Sequence, residues 1–134
     1  MKLKVIKQNF AICKVEDLSQ VNFSDDIYFI GKTDEELSLV CSVDCIPEKA
    51  KECEQEWRAF RIEGVLDFSL IGILSRISKV LADNSIGIFV VSTFNTDYIL
   101  TKSENFERAV TALQAEGYDF IENEEGEIKD DKVE

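Results

Sequence analysis

The chain has 134 residues, of which 45% are hydrophobic, so it can form one ordinary core or two very small ones. Its 27 acidic and 15 basic residues give a formal net charge of −12, which disfavours nucleic acid and anionic membranes as partners. The chain has no histidine, which excludes Ser-His-Asp and Cys-His hydrolases and any histidine pH switch.

The N-terminal residues are typical of a strand and not of a targeting signal. Apolar residues alternate loosely over residues 3–15, and Lys2, Lys4 and Lys7 interrupt any signal-peptide core. No apolar run approaches the roughly 20 residues that span a bilayer. We therefore expect a cytoplasmic protein without a membrane partner.

The four cysteines, at positions 13, 41, 45 and 53, allow two interpretations. In a reducing cytoplasm they are free thiols in the core or at its edge. The alternative is a four-cysteine zinc site, but no two of them form the Cys-x-x-Cys pair typical of such sites. The first interpretation predicts no metal and no cofactor.

The rest of the first half alternates between polar and β-prone segments. Polar residues run to position 26, and two apolar runs at 27–30 and 37–43 flank a polar hairpin connection. Pro47 followed by Glu48 is a good helix start, which predicts a short helix over 47–56. Residues 57–62 then alternate as a strand.

The second half has clearer signals. A helical apolar face runs from Leu70 to Leu81, with Asn84 and Gly87 flanking its exit. Strands are predicted at 86–93 and 98–102. Ser103 is a candidate N-cap for a second helix, which Gly117 ends, and a last strand is predicted at 118–121.

From residue 57 onward the element order is β-α-β-β-α-β, the ferredoxin-like arrangement. The first half is an abbreviated copy of it, and an offset of 61 residues places Glu36 on Asp97 and Leu39 on Leu100. We expect an α+β protein with an N-terminal module at 1–56, a C-terminal module at 57–121 and an acidic tail at 122–134. The sequence does not decide whether residues 57–63 close the first copy or open the second.

Two segments of the C-terminal module resemble the ACT-domain superfamily of regulatory modules. Residues 66–74, Leu-Asp-Phe-Ser-Leu-Ile-Gly-Ile-Leu, are similar to its strand-to-helix loop, and residues 88–100 contain a Ser-Thr-x-x-Thr-Asp-Tyr-Ile-Leu hairpin. Residues 33–41 resemble the corresponding hairpin of the first half. These patterns are similar to a branch of short tandem-ACT proteins without a catalytic domain, related to the eukaryotic arginine sensors of the TOR pathway.

The resemblance implies two tandem ferredoxin-like ACT modules, with antiparallel sheets, helices on one face and a first module that is abbreviated. It also implies a small-molecule effector, an amino acid, bound at an interface between modules, and a homodimer as the assembly. The residues that would form the ligand site are Asp67, Phe68, Gly72 and Ile73 on the loop side, and Ser92, Thr93 and Asp97 on the hairpin side.

Each of these residues also has a purely structural interpretation. Asp67 can cap the helix that follows it, and Asp97 can form an Asx-turn. Ser92 and Thr93 at a strand end are typical of local hydrogen bonding. Gly72 in a first helical turn is unfavourable by about 0.5–1 kcal/mol relative to alanine and needs a reason.

Catalytic motifs are not found. The sequence contains no phosphate loop, nucleophile elbow or zinc-hydrolase pair, so we expect no enzyme. The alternative to a sensor is an interaction adaptor with a vestigial pocket, which would bind a protein partner through an exposed sheet edge.

Overall fold

The structure is a computed structural model that describes residues 1–63 and 72–122. It is a mixed α+β fold with a mostly antiparallel arrangement of strands, as the sequence predicts. Its elements in chain order are β1 (Lys2–Lys14), β2 (Phe29–Lys32), β3 (Leu37–Ser42), a 3-10 turn (Val43–Cys45), β4 (Glu52–Ile62), α1 (Ile73–Asp83), β5 (Phe89–Ser92), β6 (Asp97–Lys102), α2 (Ser103–Ala115) and β7 (Asp119–Ile121).

The chain divides into two compact units. We call Gln8–Trp57 the N-terminal unit, and Met1–Lys7 with Arg58–Glu134 the C-terminal unit. The sequence prediction assigned residues 1–56 to the first module, whereas the structure places the first seven residues in the C-terminal unit. Strands β1 and β4 are each divided between the two units, with one end in the N-terminal unit and the other end in the C-terminal unit.

The C-terminal unit has the predicted β-α-β-β-α-β order from β4 to β7, with strand order β7-β1-β4-β6-β5. The start of β1 lies between β4 and β7, and β7 runs parallel to it, with Leu3 opposite Phe120. This parallel pair is the exception to the predicted antiparallel sheets. The pair exists because the start of β1 lies between β4 and β7, as a fifth strand in the four-stranded ferredoxin-like sheet.

One hydrophobic core stabilises the C-terminal unit. It includes Leu3 from β1, Phe60 from β4, Ile77 from α1, Ile99 from β6 and Leu113 from α2, all fully buried. The helical period explains α1, because its fully buried residues fall at four-residue intervals. Leu70, which the sequence assigns to the same helical face, lies outside the described residues.

Of three local predictions at the helix ends of this unit, one is confirmed and two are wrong. Gly117 ends α2 with a φ of 96°, as predicted. After α1 the left-handed residue is Ser85, with a φ of 60°, and not Asn84 or Gly87. Ser103 is the first residue of α2 and makes no side-chain cap, since Lys102 occupies the N-cap position.

The N-terminal unit contains strands in the order β2-β3-β1-β4 and the 3-10 turn, but no α-helix. The predicted helix over 47–56 is wrong. The amide of Ala50 donates to the carbonyl of Pro47 in a turn, and the amide of Lys51 then donates to the carbonyl of Lys14 beside β1. Pairing with β1 satisfies this backbone as a strand, so the helix start at Pro47 is not used.

The two hairpins show an internal repeat. Phe29 lies opposite Val40 in the first, and Phe89 lies opposite Leu100 in the second, so the copies are offset by 60 residues. The offset of 61 inferred from sequence is therefore wrong by one. At an offset of 60 the burial patterns of β3 and β6 are identical. An offset of 61 would instead align the buried face of one strand with the exposed face of the other, because neighbouring residues in a strand point to opposite faces.

Candidate functional site

The hairpin side of the predicted ligand site lies in the C-terminal unit at the β5–β6 connection. Ser92 and Asp97 are directly opposite each other at the end of the ladder next to the turn. Ser92 is exposed and Asp97 is half-buried. Among the described residues the Asp97 carboxylate has no hydrogen bond or ion pair, so it is available to a ligand donor.

Thr93 and Thr96 close the turn between these strands. The Thr93 amide and hydroxyl both donate to the Thr96 carbonyl, at 2.8 and 2.9 Å. The Thr93 hydroxyl also accepts from the Thr96 amide at 3.3 Å. The structural interpretation of Thr93 therefore has direct support, because its hydroxyl already bonds within the turn.

A buried hydrogen bond anchors the hairpin to β4. The Thr96 hydroxyl, with 8% of its residue surface exposed, donates to the Ile62 carbonyl at 2.7 Å. Beside it the Arg61 guanidinium donates to the Tyr98 hydroxyl at 3.0 Å and lies 3.5 Å from a Glu63 carboxylate oxygen. The hairpin is thus fixed to the end of the strand that leads toward residues 64–71.

On the loop side, Gly72 and Ile73 open α1. Gly72 is the N-cap and has a φ of 85°, a left-handed conformation that favours glycine. Ile73 is buried in the core and Arg76 donates its amide to the Gly72 carbonyl at 2.9 Å. Asp67 and Phe68 lie outside the described residues. The contacts of the described residues pair Ser92 with Asp97 but do not join either of them to Gly72 or Ile73.

Cysteine chemistry differs from the sequence expectation of four free thiols. Cys13 and Cys53, on adjacent strands of the N-terminal unit, form a disulfide with a Cα–Cα distance of 4.1 Å. Cys41 and Cys45 are free. Burial raises the pKa of the Cys41 thiol to about 11, and the nearby Cys45 and Asp25 add to the shift. Within residues 1–63 and 72–122, no group of three or more Cys, Asp or Glu residues could hold a metal ion.

Sequence reasoning missed one group of residues. Arg76 in the first turn of α1 and Glu116 at the end of α2 line a shared cleft with Tyr118. The available signal was charge placement, because a cation at a helix N-terminus and an anion at a C-terminus both oppose the helix dipole.

In the described part of the chain, no helix is both long and apolar enough to cross a bilayer.

Known proteins resemble this chain in sequence and in fold. A model of the ACT domain matches residues 52–115. The structure of protein Atu0741 from Agrobacterium tumefaciens is similar at 31% identity, with a TM-score of 0.79, over 91% of this chain and 92% of that one. A search of curated proteins found no significant match.

More distant structures share the fold. The regulatory subunit of aspartate kinase from Thermus thermophilus, in its ligand-free form, has 11% identity and a TM-score of 0.62 over 84% of this chain and 95% of that one. Escherichia coli aspartokinase III, solved with aspartate and ADP, has 13% identity and a TM-score of 0.59 over 84% of this chain and 32% of that one. The chain therefore belongs to the family of the Agrobacterium protein, and its residues 52–115 match the ACT domain.

Proposed function

We propose that the protein is a regulatory sensor that binds an amino acid through tandem ACT modules and transmits binding through its assembly. The observation that carries this proposal is the ACT match over residues 52–115, which includes α1 with its Gly72 opening and the Ser92–Asp97 hairpin. The match is to a regulatory module, which favours a binding function over catalysis. The short tandem-ACT branch related to the arginine sensors is the proposed subgroup.

The chemistry of the hairpin side suits an amino acid. The exposed Ser92 hydroxyl can donate to a carboxylate, and the Asp97 carboxylate can accept from an ammonium or a basic side chain. A charge-assisted hydrogen bond of this kind contributes about 1.5–3 kcal/mol. Asp67, Phe68, Gly72 and Ile73 remain the proposed loop side, with the ligand between modules of a homodimer.

Two of the similar structures come from aspartate kinases, and one of these is a regulatory subunit, which favours a regulatory role for this fold. Both share this fold at low identity. We place the protein in the cytoplasm, whose reducing agents would act on the Cys13–Cys53 disulfide of the structure.

The test is a binding screen of the full chain. Each of the twenty amino acids is added at millimolar concentration, and the melting temperature is measured. Any amino acid that raises the melting temperature is then titrated by calorimetry. We expect at least one to stabilise the protein and Asp97→Asn to weaken its binding by on the order of tenfold or more. Sedimentation with and without that amino acid then measures the change in assembly.

The matched control is Asp34→Asn, in the corresponding turn of the first hairpin, which should bind as the wild type does. If no amino acid changes the melting temperature, the sensor proposal is wrong.

A second candidate is an adaptor that binds a protein partner. Phe94, at the tip of the β5–β6 hairpin, has 84% of its surface exposed, and a partner that buried this ring would gain from the hydrophobic effect. A stoichiometric partner that is captured by the wild type and by Asp97→Asn, but lost with Phe94→Ser, would favour this function.

A further inference from the structure

A cleft in the C-terminal unit lies between α1 and the turn from α2 to β7. It has two lobes of about 450 and 210 Å³, and Arg76, Glu116 and Tyr118 line both. The larger volume falls within the range of small-molecule sites. Its position is separate from the Ser92–Asp97 hairpin, although Ile73 at the rim of the smaller lobe is also a proposed loop-side residue.

Four charged side chains line the cleft, and two of them form no ion pair within the described residues. These two are Arg76 and Glu116, whereas Lys79 is bonded to Asp83 at 2.9 Å. The Arg76 guanidinium lies close to the start of α1, since a Cβ added at Gly72 would lie 3.3 Å from its Nη1 atom.

Helix electrostatics also argue against a structural role. Arg76 is in the first turn of α1, where the helix dipole favours anions, and Glu116 is the C-cap of α2, where it favours cations. Each charge is therefore at the helix end that disfavours it. A ligand that carries both complementary charges would relieve both of these unfavourable placements.

We propose that this cleft binds a free amino acid, with the ligand carboxylate on Arg76, its ammonium on Glu116 and its side chain near the Tyr118 ring. A zwitterion fits better than an anion, because the net charge of −12 repels free anions whereas an overall neutral ligand is not repelled. The site lies within one unit and needs no second module. It shares its ligand class with the proposed function but not its charged residues, so either site can fail alone.

The first experiment locates the ligand. Amide spectra of the ¹⁵N-labelled full chain are recorded with each of the twenty amino acids, and we expect the Gly117 and Tyr118 signals to shift and saturate. Two derivatives of the responding amino acid each lack one charge. The N-acetyl derivative lacks the ammonium, and the C-terminal amide derivative lacks the carboxylate. We expect each derivative to bind at least about tenfold more weakly. If no amino acid shifts these signals, the cleft proposal is wrong.

The second experiment assigns the two charges. Arg76→Gln and Glu116→Gln should each weaken binding by about tenfold or more, whereas the exposed control substitutions Lys32→Gln and Glu107→Gln should not. Because each replaced charge opposes its helix dipole, we expect unchanged or higher melting temperatures, which separates loss of binding from loss of fold.

The substitutions also distinguish the two sites. Binding that is lost in Asp97→Asn but kept in Arg76→Gln and Glu116→Gln would place the ligand at the hairpin and overturn the cleft proposal. Binding lost only in the cleft variants would support the cleft and contradict the hairpin site.

Discussion

At the scale of single residues, Gly72 is a glycine whose presence can be explained either by a ligand site or by the backbone conformation. The sequence marks it as a glycine that needs a reason, and close approach of a ligand is one such reason. Its φ of 85° is another that requires no ligand, because an L-residue in this conformation places its Cβ near a carbonyl oxygen. The glycine therefore supports the start of α1 whether or not a ligand binds beside it.

Gly72→Ala should lower the free energy of unfolding by about 1–2 kcal/mol, the cost of a left-handed conformation for alanine. The neighbouring Arg76 tip is flexible, so steric contact adds little. Urea denaturation measures the change. Gly87→Ala is the control, because a Cβ there meets nothing within 4 Å and the residue has no positive φ, and a loss of equal size in both variants would contradict the backbone explanation.

Cys41 provides a pH-dependent prediction. Burial raises the pKa of its thiol from 9.0 to about 11, so the native protein holds this proton more tightly than the unfolded chain does. The contribution of Cys41 to the free energy of unfolding should therefore be constant below about pH 9 and fall as the pH rises toward 11. Iodoacetamide should label Cys45 first at neutral pH, as mass spectrometry of the modified peptides would show. Equal labelling of Cys41 and Cys45 in the folded protein would contradict this.

At the scale of elements, the two hairpins have the same turn hydrogen bond, but only the second has a buried side-chain hydrogen bond to β4. Thr33 and Thr93 play equivalent roles, since each amide donates to the carbonyl three residues later, Glu36 in one turn and Thr96 in the other. In the second hairpin the residue at that position is buried and bonds to β4, while in the first it is an exposed glutamate. The one-residue error in the predicted offset concealed this difference.

Thr96→Val should lower the free energy of unfolding by about 1–3 kcal/mol, because it leaves the buried Ile62 carbonyl without its hydroxyl donor. Thermal or urea denaturation measures it. Glu36→Gln, the equivalent position at an offset of 60, should change stability by less than about 0.5 kcal/mol. If Thr96→Val is as stable as the wild type, the hydroxyl does not anchor the hairpin.

The strand pair of β1 and β4 depends on a covalent bond that the sequence did not predict. The disulfide joins Cys13 and Cys53, which are 40 residues apart, and chain-entropy theory gives about 4 kcal/mol for a closed loop of that size. Reduction should therefore lower the urea midpoint of the wild type markedly. A Cys13→Ser, Cys53→Ser double variant should have the midpoint of the reduced protein and not respond to reductant. Identical midpoints for the oxidised and reduced wild type would show that the bond contributes nothing to stability.

Local patterns predicted elements well where one period dominated and failed where tertiary pairing decided. The apolar face of α1 and the turn at Gly117 follow from helical spacing and glycine conformation. The helix expected at Pro47 has a correct N-terminal signal, but residues from Glu52 onward pair with β1 instead. Ser92 and Asp97 lie opposite each other because the turn between them sets the register of the two strands. Their proximity could therefore be predicted from the turn residues. Charge placement at the helix ends could mark Arg76 and Glu116 singly, but they lie on two helices far apart in sequence, so no local pattern could bring them together.

At the scale of the whole molecule, the division into modules is not a division of the sequence. The C-terminal unit needs the first seven residues, because Leu3 and Val5 are buried in its core and β7 pairs with the start of β1. A module cut from the sequence at residue 57 would have β7 without its neighbouring strand. The ACT match over residues 52–115 likewise covers neither this strand nor β7.

The isolated fragment of residues 57–121, the predicted C-terminal module, should therefore fail to fold cooperatively. It lacks the apolar side chains of Leu3 and Val5, and truncating even one such buried leucine to alanine costs about 2–5 kcal/mol. Urea unfolding followed by circular dichroism is the measurement. A fragment in which a short linker joins Lys7 to Arg58 keeps the missing strand, because β1 and β4 are adjacent there, and should unfold in a single transition. Leu3→Ala in the full chain should weaken the same core. If the fragment without residues 1–7 unfolds cooperatively at the midpoint of the linked one, β1 is not part of the C-terminal unit, and the module boundary lies where the sequence placed it.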